Sequence, residues 1–322
     1  MTRRLLAFAL LAVALLSAAP AVAQENDAPA DKIVVAEVSG PLDQRTIDYL
    51  VEAVQASETQ LVILQLDTPG IASGDPAPLF QALREAAVPV AMWVGPAGAE
   101  AYGGVASLEE LVDVVGAAPG ARIGYSIPTV AGESTEIDTG PRDAGFDTGA
   151  TEITEAGPNP GYLDIVSPSI GQFIAALDGM TIDGVTLETT ETIIADDGTE
   201  VIVPSVFVEF RKPGLFTRFL RLSIFPEATF FFLAAGIALM AFEFYAAGAG
   251  ISAAVSVLTL VLAGYGLATL PINWLAVIAT LFGMWMYTWE FQRNQLGVRS
   301  IVGTALLLGG GLTFTSAGPQ FA

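Results

Sequence analysis

Two glycine-containing turns are the residues whose types and spacing favour a chemical site. Asp67-Thr68-Pro69-Gly70 follows the apolar run at 61–66, and Gly103-Gly104 comes shortly after the apolar run at 88–94. Parallel strands end at one edge of an α/β sheet, where backbone N–H groups and a helix N-terminus can stabilise a negative charge. A helical pattern with Leu108 follows Gly103-Gly104. We therefore expect both turns and a helix start to meet at one site.

The amino-acid composition excludes several classes of catalytic site. The chain has 322 residues, no His and no Cys, and a net charge of -21. Without imidazole or thiolate, the sequence cannot support Ser-His-Asp or Cys-His catalysis, disulfides or the usual zinc sites. The charge also argues against nucleic-acid binding, because no basic patch is available to neutralise phosphates. Carboxylates are the main groups left for acid–base work, and we expect no cofactor and no bound metal.

Two acidic triplets resemble the catalytic Asp-Thr-Gly of aspartic proteases. They are Asp138-Thr139-Gly140 and Asp147-Thr148-Gly149, both within the Gly-, Pro- and Thr-rich stretch 125–162. That chemistry requires each Asp to follow an apolar strand, so that two carboxylates can share a proton. The flanks here are polar. We interpret the stretch as an acidic loop.

The elements around the glycine turns predict an exported α/β domain. Residues 1–23 have the charged start, apolar core and small-residue end of a signal peptide, with an uncleaved anchor as the alternative, and 24–32 form a polar linker. Strand and helix patterns then alternate from residue 33, which favours a parallel sheet with right-handed crossovers. We assign 33–208 to this domain, ending in antiparallel strands with turns at Gly184 and Gly198.

The remainder of the chain predicts a membrane domain. Residues 211–226 form an amphipathic basic segment that suits a helix in the membrane interface, although an ordinary basic linker is an equal alternative. About four apolar segments follow within 228–318, each near the length of a membrane span. Arg293 and Arg299 mark one loop as cytoplasmic. We expect a multi-pass protein of the cell membrane with its N-terminal domain outside the cytoplasm, although Arg218 and its basic neighbours oppose the positive-inside bias.

Two carboxylates lie within the apolar segments, Glu243 and Glu290. Intramembrane carboxylates often belong to proton or ion paths, but they can also fix how helices pack. Few other polar residues follow the same helices, so we favour a packing role, with a pairing to Arg293 as one arrangement.

Several short blocks resemble the NfeD family of membrane proteins. In the exported part they are Gly40-Pro41, the stretch 65–70, Val88-Pro89-Val90, the stretch 95–99, the stretch 118–124 and the stretch 176–179; in the membrane part they are Phe242-Glu243-Phe244, Gly248-Ala249-Gly250 and the stretch 270–274. The resemblance implies an α/β domain of the Clp-protease/crotonase-like fold, followed by an all-α transmembrane four-helix domain. It covers nearly the whole mature chain.

The same resemblance implies that a serine–lysine dyad has been lost. The family nucleophile lies in a Gly-Ala-x-Ala-x-Ser pattern, which here ends in Gly103, followed by Gly104. The paired glycines of the oxyanion hole correspond to Gly70 and Ile71. The general-base lysine is expected after Gly124, but no lysine lies between Lys32 and Lys212. Ser107, one helical turn beyond Gly103, is the substitute nucleophile that we considered, and it would still require a base.

We therefore expect a catalytically inactive domain that binds or scaffolds partners at the membrane. The resemblance implies a stomatin- or flotillin-like membrane protein as partner, contact with the lipid bilayer, and self-association. Many family members also have a small C-terminal β-barrel, which we do not expect here because the sequence ends at Ala322. The alternatives are an active membrane-bound serine peptidase of the Clp class and a small transport or channel-like protein.

Overall fold

The computed structural model describes residues 32–56, 59–124, 129–130, 133–134, 150–153, 163–182, 184–194, 200–246, 250–293 and 297–315. The predicted signal peptide, nearly all of the linker and most of the acidic loop lie outside these residues. So do both acidic triplets, with Asp138 and Asp147, and the turn at Gly198.

The strands follow one another in chain order as β1 Lys32–Ser39, β2 Leu61–Asp67, β3 Val90–Val94, β4 Glu100–Tyr102, β5 Val114–Ala117, β6 Arg122–Gly124, β7 Thr129–Val130, β8 Glu133–Ser134, β9 Ala150–Glu152, β10 Ile165–Val166, β11 Thr181–Ile182, β12 Val185–Thr186, β13 Thr190–Ile194, β14 Glu200–Pro204 and β15 Phe207–Arg211. The helices are α1 Gln44–Val54, α2 Ala77–Arg84, α3 Ile170–Ala176, α4 Leu215–Leu220, α5 Pro226–Ala246, α6 Ile251–Thr269, α7 Trp274–Gln292 and α8 Val298–Leu312. Short 3-10 helices occur at Ala106–Glu110 and Arg221–Ser223.

A six-stranded sheet forms the centre of the α/β domain. Its order is β10-β5-β3-β2-β1-β15, and every neighbouring pair is parallel. The middle strands β2 and β3 are almost wholly buried, as expected for runs of Val, Ile and Leu covered on both faces. The carboxyl ends of β2 and β3 therefore meet at one edge of the sheet, where the predicted turn after Asp67 lies.

A carboxylate precedes each of the first two helices. Asp43 is the N-cap of α1 and accepts from Thr46 N at 3.0 Å, and the apolar face with Ile47 and Leu50 is buried. Before α2, Asp75 accepts from Ala77 N at 3.0 Å, although the cap position itself is Pro76. This helix ends at Arg84, several residues before the predicted stop at Pro89.

Two helix predictions require correction. The pattern after Gly104 gives only the 3-10 helix Ala106–Glu110, because Val115 belongs to β5 and pairs with Met92 of β3. Tertiary pairing thus overrides a local apolar spacing that fits a helix. Ser167 followed by Pro168 predicts a helix with Ser167 as its N-cap, but the N-cap of α3 is Ser169, which accepts from Gln172 N at 3.3 Å.

The predicted antiparallel strands before the membrane segment form two separate hairpins. β11 pairs with β12 around Gly184, which has φ +81, and β13 pairs with β14. The last strand of the stretch, β15, instead joins the central sheet parallel to β1. An alternating pattern predicts a strand but not its partner, so this edge strand was missed.

Helices α5 to α8 form two antiparallel hairpins, α5 with α6 and α7 with α8. Two helices among the described residues, Pro226–Tyr245 and Ile251–Thr269, are long and apolar enough to cross a membrane, and Val298–Leu312 is a shorter apolar helix. The predicted fold class, an α/β domain followed by a helical domain, is confirmed. The residue boundaries assigned to the domains stay a prediction.

Candidate functional site

The turn after β2 is held against β4. Thr68 N donates to the Glu100 carbonyl at 2.6 Å, and Glu100 N donates to the Asp67 carboxylate at 3.2 Å. Gly70 has φ +131, a conformation that side chains rarely adopt. The Asp67-Thr68-Pro69-Gly70 motif therefore builds a rigid turn at the carboxyl edge of the sheet, where the sequence predicts a site.

Ile71 continues this turn as a core residue. It is 1% exposed and forms a parallel bridge with Leu42. Leu42 N donates to the Gly70 carbonyl at 2.9 Å, and Ala72 N donates to the Leu42 carbonyl at 2.9 Å. The backbone from Gly70 to Ala72 is thus paired in a strand-like way with the segment before α1.

Gly103 and Gly104 lie directly after β4 and are both buried. Gly103 has φ +58, and its N–H donates to the Gly124 carbonyl at 3.2 Å. Its own carbonyl accepts from Ser107 N at 3.2 Å. A glycine here allows a left-handed turn that leads from β4 into the 3-10 helix.

Ser107 is inside the domain. It is 1% exposed, and its Oγ donates to the Gly103 carbonyl at 3.4 Å. A nucleophilic hydroxyl must reach the substrate and transfer its proton to a base within hydrogen-bond distance. The hydroxyl of Ser107 is shielded from solvent and donates to a backbone carbonyl, so it is not placed to reach a substrate.

Both lysines of the chain are held in ion pairs with carboxylates of the two strands at one side of the sheet, β1 and β15. Lys32 lies at the amino end of β1, with Nζ 3.4 Å from the Glu209 carboxylate. Lys212 follows the edge strand β15, with Nζ 2.8 Å from the Glu37 carboxylate. Arg211 and Lys32 together hold the pKa of Glu209 below its usual value, chiefly through the hydrogen bond from Arg211.

Sequence reasoning missed three buried or capping carboxylates. Glu109, in the 3-10 helix after Gly104, is 0% exposed. Asp113 and Asp164 accept from Val90 N and Val115 N, each at 2.8 Å, so they close the amino ends of β3 and β5. The sequence signal that could have identified Asp113 and Asp164 is an acidic residue directly before an apolar run. Among the described residues, no group of three or more acidic side chains could hold a metal ion.

A polar cluster joins the α/β domain to the helices that follow. The Asp43 carboxylate, 1% exposed, accepts from Thr46, from Arg221 at 3.3 Å, and from the Tyr265 hydroxyl of α6. Arg221 also donates to Thr46 Oγ1 and to the carbonyls of Pro41 and Ser39. Burial lowers the pKa of Arg221, and the nearby Asp43 charge partly opposes that effect. One N-cap residue therefore connects the sheet domain, the juxtamembrane segment and α6.

The two carboxylates of the apolar helices close the helical hairpins. Glu243 of α5 accepts from Gly250 N at 3.0 Å and from the Ser252 hydroxyl at the start of α6. Glu290 of α7 accepts from Gly297 N and Arg299 N, each at 3.0 Å, and from the backbone and hydroxyl of Ser300. Each carboxylate thus caps the helix that follows its own, where a negative charge is favoured.

The two hairpins share one sequence spacing. It is Gly236, Glu243, Gly250 in the first hairpin and Gly283, Glu290, Gly297 in the second. The pairing to Arg293 that we considered is not formed within the described residues. Its guanidinium lies 5.6 Å from the Trp289 ring centroid instead. These contacts support the packing role over an ion path.

Comparison with known families decides what the helical domain is. Residues 227–322 match the family model described as the NfeD integral membrane domain. The C-terminal part of the chain is an NfeD integral membrane domain. This match confirms the expected family for the helical domain and its association with the membrane, and α5 to α8 are the helices of this NfeD domain.

Solved structures also show similarity to the α/β part of the chain. A membrane protease from Pyrococcus horikoshii, specific for a stomatin homologue, is 19% identical with a TM-score of 0.41, over 59% of this chain and 96% of that one. A variant of the membrane-bound stomatin-specific protease, in complex with a substrate peptide, is 18% identical with a TM-score of 0.38, over 58% of this chain and 95% of that one. An enoyl-CoA hydratase/carnithine racemase homologue from Magnetospirillum magneticum is 20% identical with a TM-score of 0.23, over 27% and 41% of the two chains. No curated protein matches.

Proposed function

We propose that the α/β domain of this NfeD-family protein is an inactive relative of serine–lysine proteases and acts by binding a partner at the membrane. The observation that carries the proposal is the surroundings of Gly103. The residue at the nucleophile position has no hydroxyl, and Ser107 is buried and donates to the Gly103 carbonyl at 3.4 Å. Hydrolysis through a serine needs a hydroxyl that the substrate can reach, and at 1% exposure Ser107 does not offer one.

The charged groups support the same proposal. A lysine can serve as a general base only when burial or a neighbouring cation lowers its pKa, whereas a carboxylate partner stabilises the charged form. Lys32 and Lys212 both have carboxylate partners. Each ammonium group is engaged with a carboxylate of β15 or β1. The Gly70–Ile71 position would then serve as a rigid turn and not as an oxyanion hole.

We further propose a stomatin-like membrane protein as the partner. The solved protease with a similar sheet domain is described as specific for a stomatin homologue. A domain that has kept such a fold and lost its dyad can still recognise the same class of protein. Self-association of the chain belongs to this proposal, because a scaffold at a membrane gains strength from several linked binding sites.

The arrangement in the membrane is part of the proposal. The α5–α6 and α7–α8 hairpins would cross the bilayer as a multi-pass domain, and the α/β domain would lie outside the cytoplasm. Support comes from the two long apolar helices and from the location of the polar cluster at Asp43, which is next to the start of α5. The hairpin caps at Glu243 and Glu290 would then lie at the far, cytoplasmic side.

Reconstitution with a stomatin homologue from the same cell tests this function. The full chain and the homologue are placed in the same liposomes, and both co-purification and the intact mass of the homologue are measured. We expect association without cleavage, while the Pyrococcus horikoshii protease with its own stomatin homologue serves as the positive control for cleavage. Cleavage by this chain, or no association above that of protein-free liposomes, would refute the proposal.

A further inference from the structure

The segment between the sheet domain and the first apolar helix concentrates positive charge. Arg211, Lys212, Arg218 and Arg221 lie within it, and no acidic residue occurs from Arg211 to Pro226. They are four of 13 basic residues in a chain with a net charge of -21. Such a local excess of positive charge attracts anionic groups that the rest of the protein repels.

The same segment exposes large apolar side chains. Leu215 is 81% exposed, Phe216 64%, Leu222 55% and Phe225 47%. Leu215 and Phe216 lie in α4, Leu222 lies in the 3-10 helix, and Phe225 comes directly before α5, so all four are close in sequence to the start of the first apolar helix. Exposed apolar residues beside basic ones are typical of a segment that sits in the headgroup region of a bilayer.

A pocket opens between this segment and the carboxyl end of β1. Its volume is 260 Å³, and Lys212, Arg218 and Arg221 line it opposite Glu37 and the end of β1. Lys212 Nζ lies 2.8 Å from Glu37, and Arg221 is committed to Asp43 and nearby carbonyls. Within the described residues, Arg218 has no ion-pair partner. The lining therefore has three cations to one carboxylate, with one guanidinium available for a ligand.

We propose that this pocket binds the phosphate headgroup of an anionic phospholipid. Arg218 would form the main contact, since a guanidinium can donate two parallel hydrogen bonds to phosphate oxygens. Lys212 would add a second cation on a flexible side chain. Arg221, which Asp43 and the backbone carbonyls hold in place, would line the pocket without moving. The exposed Leu215, Phe216, Leu222 and Phe225 would lie among the acyl chains, which is why a lipid fits the pocket better than a free phosphate.

Lipid binding to the purified full chain tests the proposal. Detergent-solubilised protein is titrated with phosphatidylglycerol or with phosphatidylcholine, and bound lipids are counted by native mass spectrometry. We expect a preference for phosphatidylglycerol that falls about five-fold for each cation removed near the surface, in Arg218→Ala and then in Lys212→Ala/Arg218→Ala. Arg218→Lys should keep most of the preference, because it keeps the charge.

The controls separate this site from general electrostatics. Arg84→Ala removes an exposed arginine of α2, outside the pocket, and should leave lipid binding unchanged. Inorganic phosphate should fail to displace phosphatidylglycerol, because it lacks acyl chains. Equal binding of both lipids, an equal loss in Arg84→Ala, or displacement by inorganic phosphate would each overturn the proposal.

Discussion

Arg221 Nη1 lies 3.3 Å from Asp43 Oδ1, and this buried ion pair connects the membrane-proximal segment to the first helix of the α/β domain. Their side chains are 10% and 1% exposed. Asp43 is also the N-cap of α1 and accepts from Tyr265 of α6. The α/β domain is therefore anchored to the membrane helices by a specific contact in addition to the chain connection.

The first prediction concerns this ion pair. Arg221→Met should destabilise the protein by about 3 kcal/mol, because removing one partner leaves a buried charge, while Asp43 keeps Thr46 and Tyr265. Thermal unfolding in detergent measures the effect. Arg218→Met is the matched control, since that arginine is exposed and lies on the same segment. Equal Tm values for the two variants would contradict the anchoring role.

The second prediction concerns the contact between α7 and α8. A Cβ on Gly303 would lie 3.1 Å from the Gly283 carbonyl and 3.2 Å from the Tyr287 ring, whereas a Cβ on Gly309 would have no atom within 4 Å. Gly303→Leu should cost about 1 to 3 kcal/mol through overpacking, and Gly309→Leu on the same helix should cost much less. Thermal unfolding in detergent compares the two. A similar loss in both would show that the hairpin does not pack this closely.

The third prediction compares how much Tm falls when each of the two carboxylates that cap the helical hairpins, Glu290 and Glu243, is removed. Glu290 accepts from three backbone N–H groups and one hydroxyl, and Glu243 from one of each. Glu290→Ala should therefore lower Tm more than Glu243→Ala, because more donors lose their partner in apolar surroundings. Glu227→Ala, at an exposed position in the first turn of α5, should have the smallest effect. The reverse order would argue for a different role of these carboxylates.

The fourth prediction is a pH dependence at Asp178. Its carboxylate accepts from Thr189 N at 2.7 Å and Thr190 N at 2.9 Å, and these bonds, led by that of Thr190, lower its pKa. A carboxyl with a lowered folded pKa stabilises the protein above its unfolded pKa of about 3.9, and the benefit disappears as the pH falls through the folded pKa. Asp178→Asn should thus be less stable than wild type at neutral pH, with the difference shrinking in acid.

Chemical denaturation of both proteins at several pH values measures this difference. Glu188→Gln, an exposed residue of the same loop, is the control and should match wild type throughout. If the difference in the free energy of unfolding between Asp178→Asn and wild type stays constant as the pH falls, the stabilising effect of Asp178 does not depend on its negative charge.

Sequence patterns predicted the fold where the physical signal is local. The buried runs of β2 and β3 indicate their strands directly, because burial on both faces leaves its mark within a few residues. Partners far apart in sequence leave no such mark. Val115 fits the helical spacing after Gly104, and nothing in the sequence of β15 indicates that it lies beside β1, because each is defined by the strand that it meets.

The candidate site stays a prediction, although the two glycine turns do lie near each other. The turn after Asp67 lies at the carboxyl edge of the sheet, and contacts of Thr68 and Asp67 with Glu100 join it to β4, which leads into Gly103. The burial of Ser107 and Glu109 could not be read from the sequence, since both lie in a short 3-10 helix whose pattern resembles an amphipathic helix. The capping contacts of Glu243 and Glu290 could not be predicted, because they depend on the geometry of the turn between two helices. The sequence does show that each glutamate has a glycine seven residues before it and seven residues after it.

Active-site labelling tests the central claim most directly. The full chain in detergent is treated with a fluorophosphonate probe, beside Ser107→Ala, Gly103→Ser and Gly98→Ser, the last being a control serine at another glycine with positive φ. An apolar peptide library is assayed for cleavage in parallel. We expect no labelling and no cleavage in any of the four proteins, because Ser107 is buried and both lysines are held in ion pairs. Labelling of the wild type that disappears in Ser107→Ala would contradict it, and would show that Ser107 becomes accessible beside a base.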